Sequence, residues 1–173
     1  MPLSPAESVF LFVVLYSLGG YALRLFVSWR ASICAVELFT LPCALTSLGR
    51  TGADLARAYL RAHHIAAEVV SFEVDGYQCD PPALLLCKGV YSGTSLGAAA
   101  HALHECGHAA LQHTKRTPLL LAEYSASRLA LVSFRGAEYL AVRRLFVWYW
   151  LTYFVDMLTP LHRRLERAKS NNG

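Results

Sequence analysis

Charge is what this 173-residue chain has least of: 16% of it is Asp, Glu, Lys or Arg, against roughly a quarter in an average soluble protein. With 55% hydrophobic residues, that shortage excludes a disordered or wholly solvated chain and asks for apolar surroundings beyond one small core. There is no basic face interleaved with aromatics; the arginines stand as short groups beside apolar runs, so a nucleic-acid partner is set aside. Paired cysteines are missing as well. Cys34, Cys43, Cys79, Cys87 and Cys106 are odd in number with no CxxC, which argues against a disulfide framework and for small apolar side chains in a reducing compartment. Met1 to Glu7 lack Lys and Arg, so the apolar run that follows does not read as a cleavable signal peptide.

What is present falls into four stretches. Residues 1–30 read as an N-terminal membrane anchor, because 8–29 are almost continuously apolar and about the length of a bilayer core. Arg24 is the only charge in that run and is expected to reach the headgroups. Residues 31–49, interrupted by Glu37 and Pro42, form an apolar connecting or interfacial segment, or else a helix packed on the domain. Residues 50–142 have globular composition. Helical spacing over 51–64 is capped by Thr51 or Asp54, and strand-like runs cover 65–74 and 83–91 with a turn at Asp75-Gly76. Helices are expected at 94–114 and, after Pro118, at 119–134, with a break at Gly136. Residues 143–173 hold an aromatic-rich apolar or interfacial membrane helix, 145–161, and a basic tail. The fold class is α+β, mostly helical, with a short β-hairpin.

The chemistry is concentrated in His104-Glu105-Cys106-Gly107-His108. On a helix, His104 and His108 project from one face and can give two imidazole ligands to a tetrahedral zinc ion. Glu105 is then placed as general base for a water whose pKa zinc lowers to roughly 7, so that it attacks a peptide carbonyl. Gly107 weakens the helix and so answers a packing or access need.

A catalytic zinc needs a third protein ligand and an open position. Glu123 is the first candidate, because a short connection at Lys115–Pro118 lets its helix lie beside the first. Glu138 competes, since AEYLAVR (137–143) echoes AEYSASR (122–128). His101, one turn before His104, is a further alternative, more often a core or supporting histidine. His113 points away from the ligand stripe, Cys106 faces the opposite side as a core residue, and Asp80 is a candidate supporting group near the cleft.

With these motifs in order, the chain resembles the neutral zinc metallopeptidase family typified by the bacterial membrane protein YugP, over roughly residues 47–134. SLGRTGADLARAYL is similar to the family's Gly-x-Thr-Gly-Ala-acidic helix, and CDPPALLLCKGVYSGTSLGAAAHALHECGHAAL to its Asp-Pro, strand and His-Glu-x-Gly-His block. TPLLLAEYSASRLAL resembles its Glu-x-x-Ala-Ser-Arg helix. The resemblance implies His104, His108 and Glu123 as ligands of one Zn2+, Glu105 as base, and a compact zincin-like unit whose strand ALLLCKG receives extended peptide by backbone pairing. The chain departs from the family at Gln78 and Cys79, where relatives tend to carry His and Tyr, and in the short interval between His108 and Glu123. The expected function is a membrane-associated zinc endopeptidase acting on peptide or protein substrates beside membrane lipid. Positive-inside bias places the catalytic domain on the cytoplasmic side. The alternative is a catalytically silent membrane adaptor that keeps the fold.

Overall fold

A computed structural model describes the backbone of residues 5–112 and 117–158, and side chains over 14–112 and 117–157. It is a mostly helical α+β protein with one three-stranded sheet. Helix α1 spans Pro5–Thr40 and is followed by a short 3-10 segment, Ala44–Gly49. Helix α2 (Gly52–Ala62) leads into strands β1 (Glu68–Phe72), β2 (Gly76–Cys79) and β3 (Pro82–Cys87). One helical turn, α3 (Lys88–Tyr91), precedes α4 (Leu96–Ala110), α5 (Leu119–Leu131) and α6 (Gly136–Leu158).

Local chemistry explains where the elements begin. The Thr51 hydroxyl accepts the Asp54 N–H at 3.2 Å while the Asp54 carboxylate accepts the Thr51 N–H at 3.0 Å, a reciprocal capping box that uses both candidate residues. Ser95 caps α4 by accepting the Ala98 N–H at 3.2 Å. Helix α4 is the centre of the molecule. Its alanines and Gly107 are buried on nearly every side, and such small residues let α2, α5 and the sheet approach closely. Leu84 and Leu86 of β3 pack fully buried with Ala102, Cys106 and Ala109 of α4. Cys106 is thus the core residue expected. Cys79, by contrast, is exposed, and no disulfide joins it to half-buried Cys87.

The sheet differs from the expected hairpin of two strands. The order is β1-β3-β2, with β1 parallel and β2 antiparallel to β3. The second expected strand stops at Cys87, and Lys88–Tyr91 turn helical. The short strand β2 escaped the sequence pattern because four residues opening on a glycine show no alternation. Its presence gives β3, the ALLLCKG segment, a neighbour on both sides. Over residues 83–85 both sides of β3 are therefore occupied, and among the described residues the free edge on that side of the sheet is β2.

Within residues 31–49, residues 31–40 continue α1 and pack on the domain. α1 runs on to Thr40, with Val27, Ala31, Cys34 and Leu38 forming one buried stripe at helical spacing. Cys34 and Leu38 belong to a core shared with Val142, Leu145 and Phe146 of α6. Arg24, expected at the headgroups, instead pairs with Asp156 of α6 at 2.6 Å, and Arg144 pairs with Glu37. Among the described residues no helix is long and apolar enough to cross a membrane, so the fold gives no support to a transmembrane anchor at 8–29. The side chains of 8–13, residues 159–161 of the last apolar run and the basic tail lie outside the described residues. Gly136, at φ +54°, makes the break before α6.

Candidate metal centre

Two close-packed helices build the site. A Cβ at Gly107 would lie 2.7 Å from the Ala126 carbonyl oxygen, so only glycine lets α5 pass this near to α4. Ala122, Ala126 and Ala130 are the buried stripe that α5 turns inward. Glu123 stands at the start of this crossing and reaches the two imidazoles of α4.

The Nε2 atoms of His104 and His108 are 3.1 Å apart. Glu123 Oε2 lies 3.1 Å from His104 Nε2, and Glu123 Oε1 lies 3.6 Å from His108 Nε2. These three are a set of metal-capable donors. Tetrahedral zinc with bonds of about 2.0–2.1 Å has donor atoms roughly 3.3 Å apart; the two imidazole nitrogens and the His104–Glu123 Oε2 pair lie close to that, while Glu123 approaches His108 through its other oxygen. The chemistry of the donors agrees as well, since two imidazoles and one carboxylate leave a fourth position open. The residues present therefore fit a zinc ion.

The site is held from behind. His104 Nδ1 is 3.2 Å from the Ser127 Oγ, which steadies the ring with Nε2 turned to the cluster. The Phe146 ring lies against the same imidazole at 5.2 Å between centroids. Ser127 was missed in the sequence, although it lies four residues beyond Glu123 and therefore on the same helical face.

Glu105 is buried, with 8% of its surface exposed, and lines the same cleft as His104, His108 and Glu123. Burial, and then the negative charges of Glu123 and Asp75, push its carboxyl up to about 8. The cleft is walled by α1, β2 with its flanking turns, α4, α5 and α6; Asp80, Gln78 and Cys79 stand on the β2 side.

The competing ligands are elsewhere. Glu138 accepts the Ala44 N–H at 2.7 Å and ties the start of α6 to the segment after α1. His101 turns one nitrogen to Asp75, at 3.4 Å, and the other to Tyr149, at 3.3 Å. His113 lies outside the described residues. Asp75 and Tyr149 carried no signal as site residues in the sequence, because only tertiary packing brings them to α4.

The model of a family described as "putative neutral zinc metallopeptidase" matches residues 43–162. No curated protein matches the chain, and no solved structure does.

Proposed function

Because the chain belongs to the neutral zinc metallopeptidase family, we propose that His104, His108 and Glu123 hold one zinc ion and that Glu105 is the general base of a membrane-associated endopeptidase. The observation that carries this reading is the convergence of two imidazole nitrogens and the Glu123 carboxylate, with the buried Glu105 carboxylate in the same open cleft.

When bound, zinc would supply Lewis acidity, polarising a peptide carbonyl and bringing a water's pKa near neutrality. The protein's own groups do the rest. Glu105 takes the proton of the attacking water and returns it to the departing amine as the C–N bond breaks. Ser127 keeps His104 oriented, and the close α4–α5 crossing holds Glu123 in reach. Extended peptide would lie along the free edge of β2, whose residues line the cleft, and exchange backbone hydrogen bonds with it.

Membrane association belongs to the same proposal. Leu15, Leu18, Leu23, Leu25, Phe26 and Trp29 are all at least half exposed along α1, an apolar surface suited to lipid. The arginines that follow that run favour a catalytic unit on the cytoplasmic side.

Elemental analysis of detergent-purified protein tests the metal site. About one zinc per chain is expected in the wild type, and little in His104→Ala or Glu123→Ala. A wild type that takes up no zinc even after reconstitution would overturn the reading and leave a membrane adaptor. Glu105→Gln should keep the zinc and abolish proteolysis, which separates a working peptidase from a silent relative.

A further inference from the structure

Arg24, Arg30 and Arg144 stand along the seam where α1 and α6 pack, and their charges are answered differently. Arg24 pairs with Asp156 at 2.6 Å and Arg144 pairs with Glu37, so each of these two is matched across the seam. Arg30, between them, forms no ion pair among the described residues. Its guanidinium lies over two indole rings instead, 5.6 Å from the centroid of Trp148 on α6 and 6.0 Å from that of Trp29. Phe26 completes the group, its ring centroid 6.1 Å from that of Trp148 and 6.2 Å from that of Trp29.

The place of this group along α1 gives it meaning. Between Leu15 and Trp29, a rise of about 21 Å on a helix, the only charged residue is Arg24, the one that Asp156 neutralises. The exposed leucines, Phe26 and Trp29 cover the same stretch. Past Trp29 the helix turns polar, first at Arg30 and then at Glu37. A surface bathed in hydrocarbon asks for this distribution. A charge inside it is paired, whereas a charge at its border is flanked by tryptophan and reaches the headgroups. Trp29, Arg30 and Trp148 have the composition of such a border. Contact with the indoles offsets part of the guanidinium charge but supplies no oxygen to its five N–H donors. An apolar side chain would fill the space between two indoles without leaving those donors unanswered. A phosphate offers two oxygens to the planar fork.

We propose that Arg30, held between Trp29 and Trp148, binds the phosphate of an anionic phospholipid headgroup. This rests on the membrane association proposed above and is independent of the peptidase chemistry. Phosphatidylglycerol suits the site better than phosphatidylcholine, because the choline ammonium of the latter cancels the charge that Arg30 would meet. The same stretch of α1 also serves the cleft, whose wall includes Ser28, Ala31, Ser32 and Ala35. A headgroup seated at Arg30 therefore holds the cleft at the level of the lipid surface, where it meets peptide segments as they leave the membrane.

The test uses the full chain reconstituted in phosphatidylcholine vesicles with increasing fractions of brominated phosphatidylglycerol, which quenches tryptophan on contact. The chain's three tryptophans are Trp29, Trp148 and Trp150, so the emission reports on the lipid beside this group. The competition gives the affinity for the anionic lipid relative to phosphatidylcholine. The wild type should prefer phosphatidylglycerol about fivefold, the effect of one arginine near an anionic surface. Arg30→Gln should bring that ratio close to one. Arg144→Gln removes the same charge from the chain but none from between the indoles, and should keep the preference. Arg30→Met, an unbranched stem in the same space, becomes the deciding variant if circular dichroism shows that Arg30→Gln fails to fold. A wild-type ratio near one, or an equal loss in the Arg30 and Arg144 variants, would overturn the site and leave membrane association standing. A preference that inorganic phosphate removes at constant ionic strength would assign Arg30 to a free anion and overturn the lipid. No quenching by brominated phosphatidylglycerol or brominated phosphatidylcholine would overturn membrane association as well.

Discussion

Gly107 and Ala126 mark the place where α4 and α5 meet backbone to backbone, since a Cβ on Gly107 would stand 2.7 Å from the Ala126 carbonyl oxygen and 2.8 Å from its Cα. No flexible side chain lies in between to give way. Gly107→Ala must therefore push α5 outward, and Glu123 moves with it. The expected outcome is a destabilisation of about 1–3 kcal/mol by urea unfolding and a zinc affinity at least tenfold weaker. Unchanged zinc affinity in this variant would show that Glu123 reaches the imidazoles without the close crossing.

Ser127 tests the support behind the ligands. Removing its hydroxyl frees the Nδ1 side of His104, so Ser127→Ala should lose about 10–100-fold in zinc affinity with stability little changed. Ser125 is the internal comparison, because its hydroxyl turns back to the Leu121 carbonyl of its own helix. Ser125→Ala should bind zinc as the wild type does. Equal affinities in both serine variants would remove Ser127 from the site.

What the sequence made legible was what local pattern encodes. A polar cap on α2 at Thr51 or Asp54, the helical face shared by His104 and His108, and the core position of Cys106 follow from spacing alone, while the structure shows that both capping candidates act together. Glu123 required a guess about how two helices pack, which a short connection and the family resemblance supplied. The relationships that stayed hidden are long-range. β2 has too few residues for a period, and its insertion beside β3 changed which strand edge is open. Arg24 looked like a headgroup anchor because nothing in a linear reading brings Asp156 to it. Tyr149 stands 48 residues from His101, and only the folding of α6 across α4 unites them.

Topology offers a prediction independent of catalysis. Cys79 is exposed at the rim of the cleft, so it reports which side of a membrane the proposed catalytic unit occupies. A membrane-impermeant maleimide applied to intact cells should leave Cys79 unmodified and should label it after lysis, with Cys79→Ser as the blank. Labelling in intact cells would place the unit outside and reverse the orientation read from the arginines.

The last prediction concerns the metal-free protein, in which Glu105 is a buried acid beside two carboxylates. Burial, Glu123 and Asp75 raise it from an ordinary value near 4.5 to about 8 in the folded chain, whereas the unfolded chain releases its proton near the ordinary value. Between these values the folded state binds the extra proton, so this contribution to stability is fully present below about pH 4.5 and is lost as pH rises toward 8. Glu105→Gln stays neutral throughout and lacks that dependence. Urea unfolding of EDTA-treated protein at pH 5 and pH 8 isolates the effect, because the titrating histidines are common to both proteins. Relative to the variant, the wild type should lose stability between the two pH values. Zinc should shrink that loss, since a nearby dication favours the carboxylate. Parallel pH curves for wild type and variant without metal would mean that Glu105 ionises freely in the fold, and the cleft would then lack the dry surroundings a base beside a metal needs to hold a proton near neutral pH.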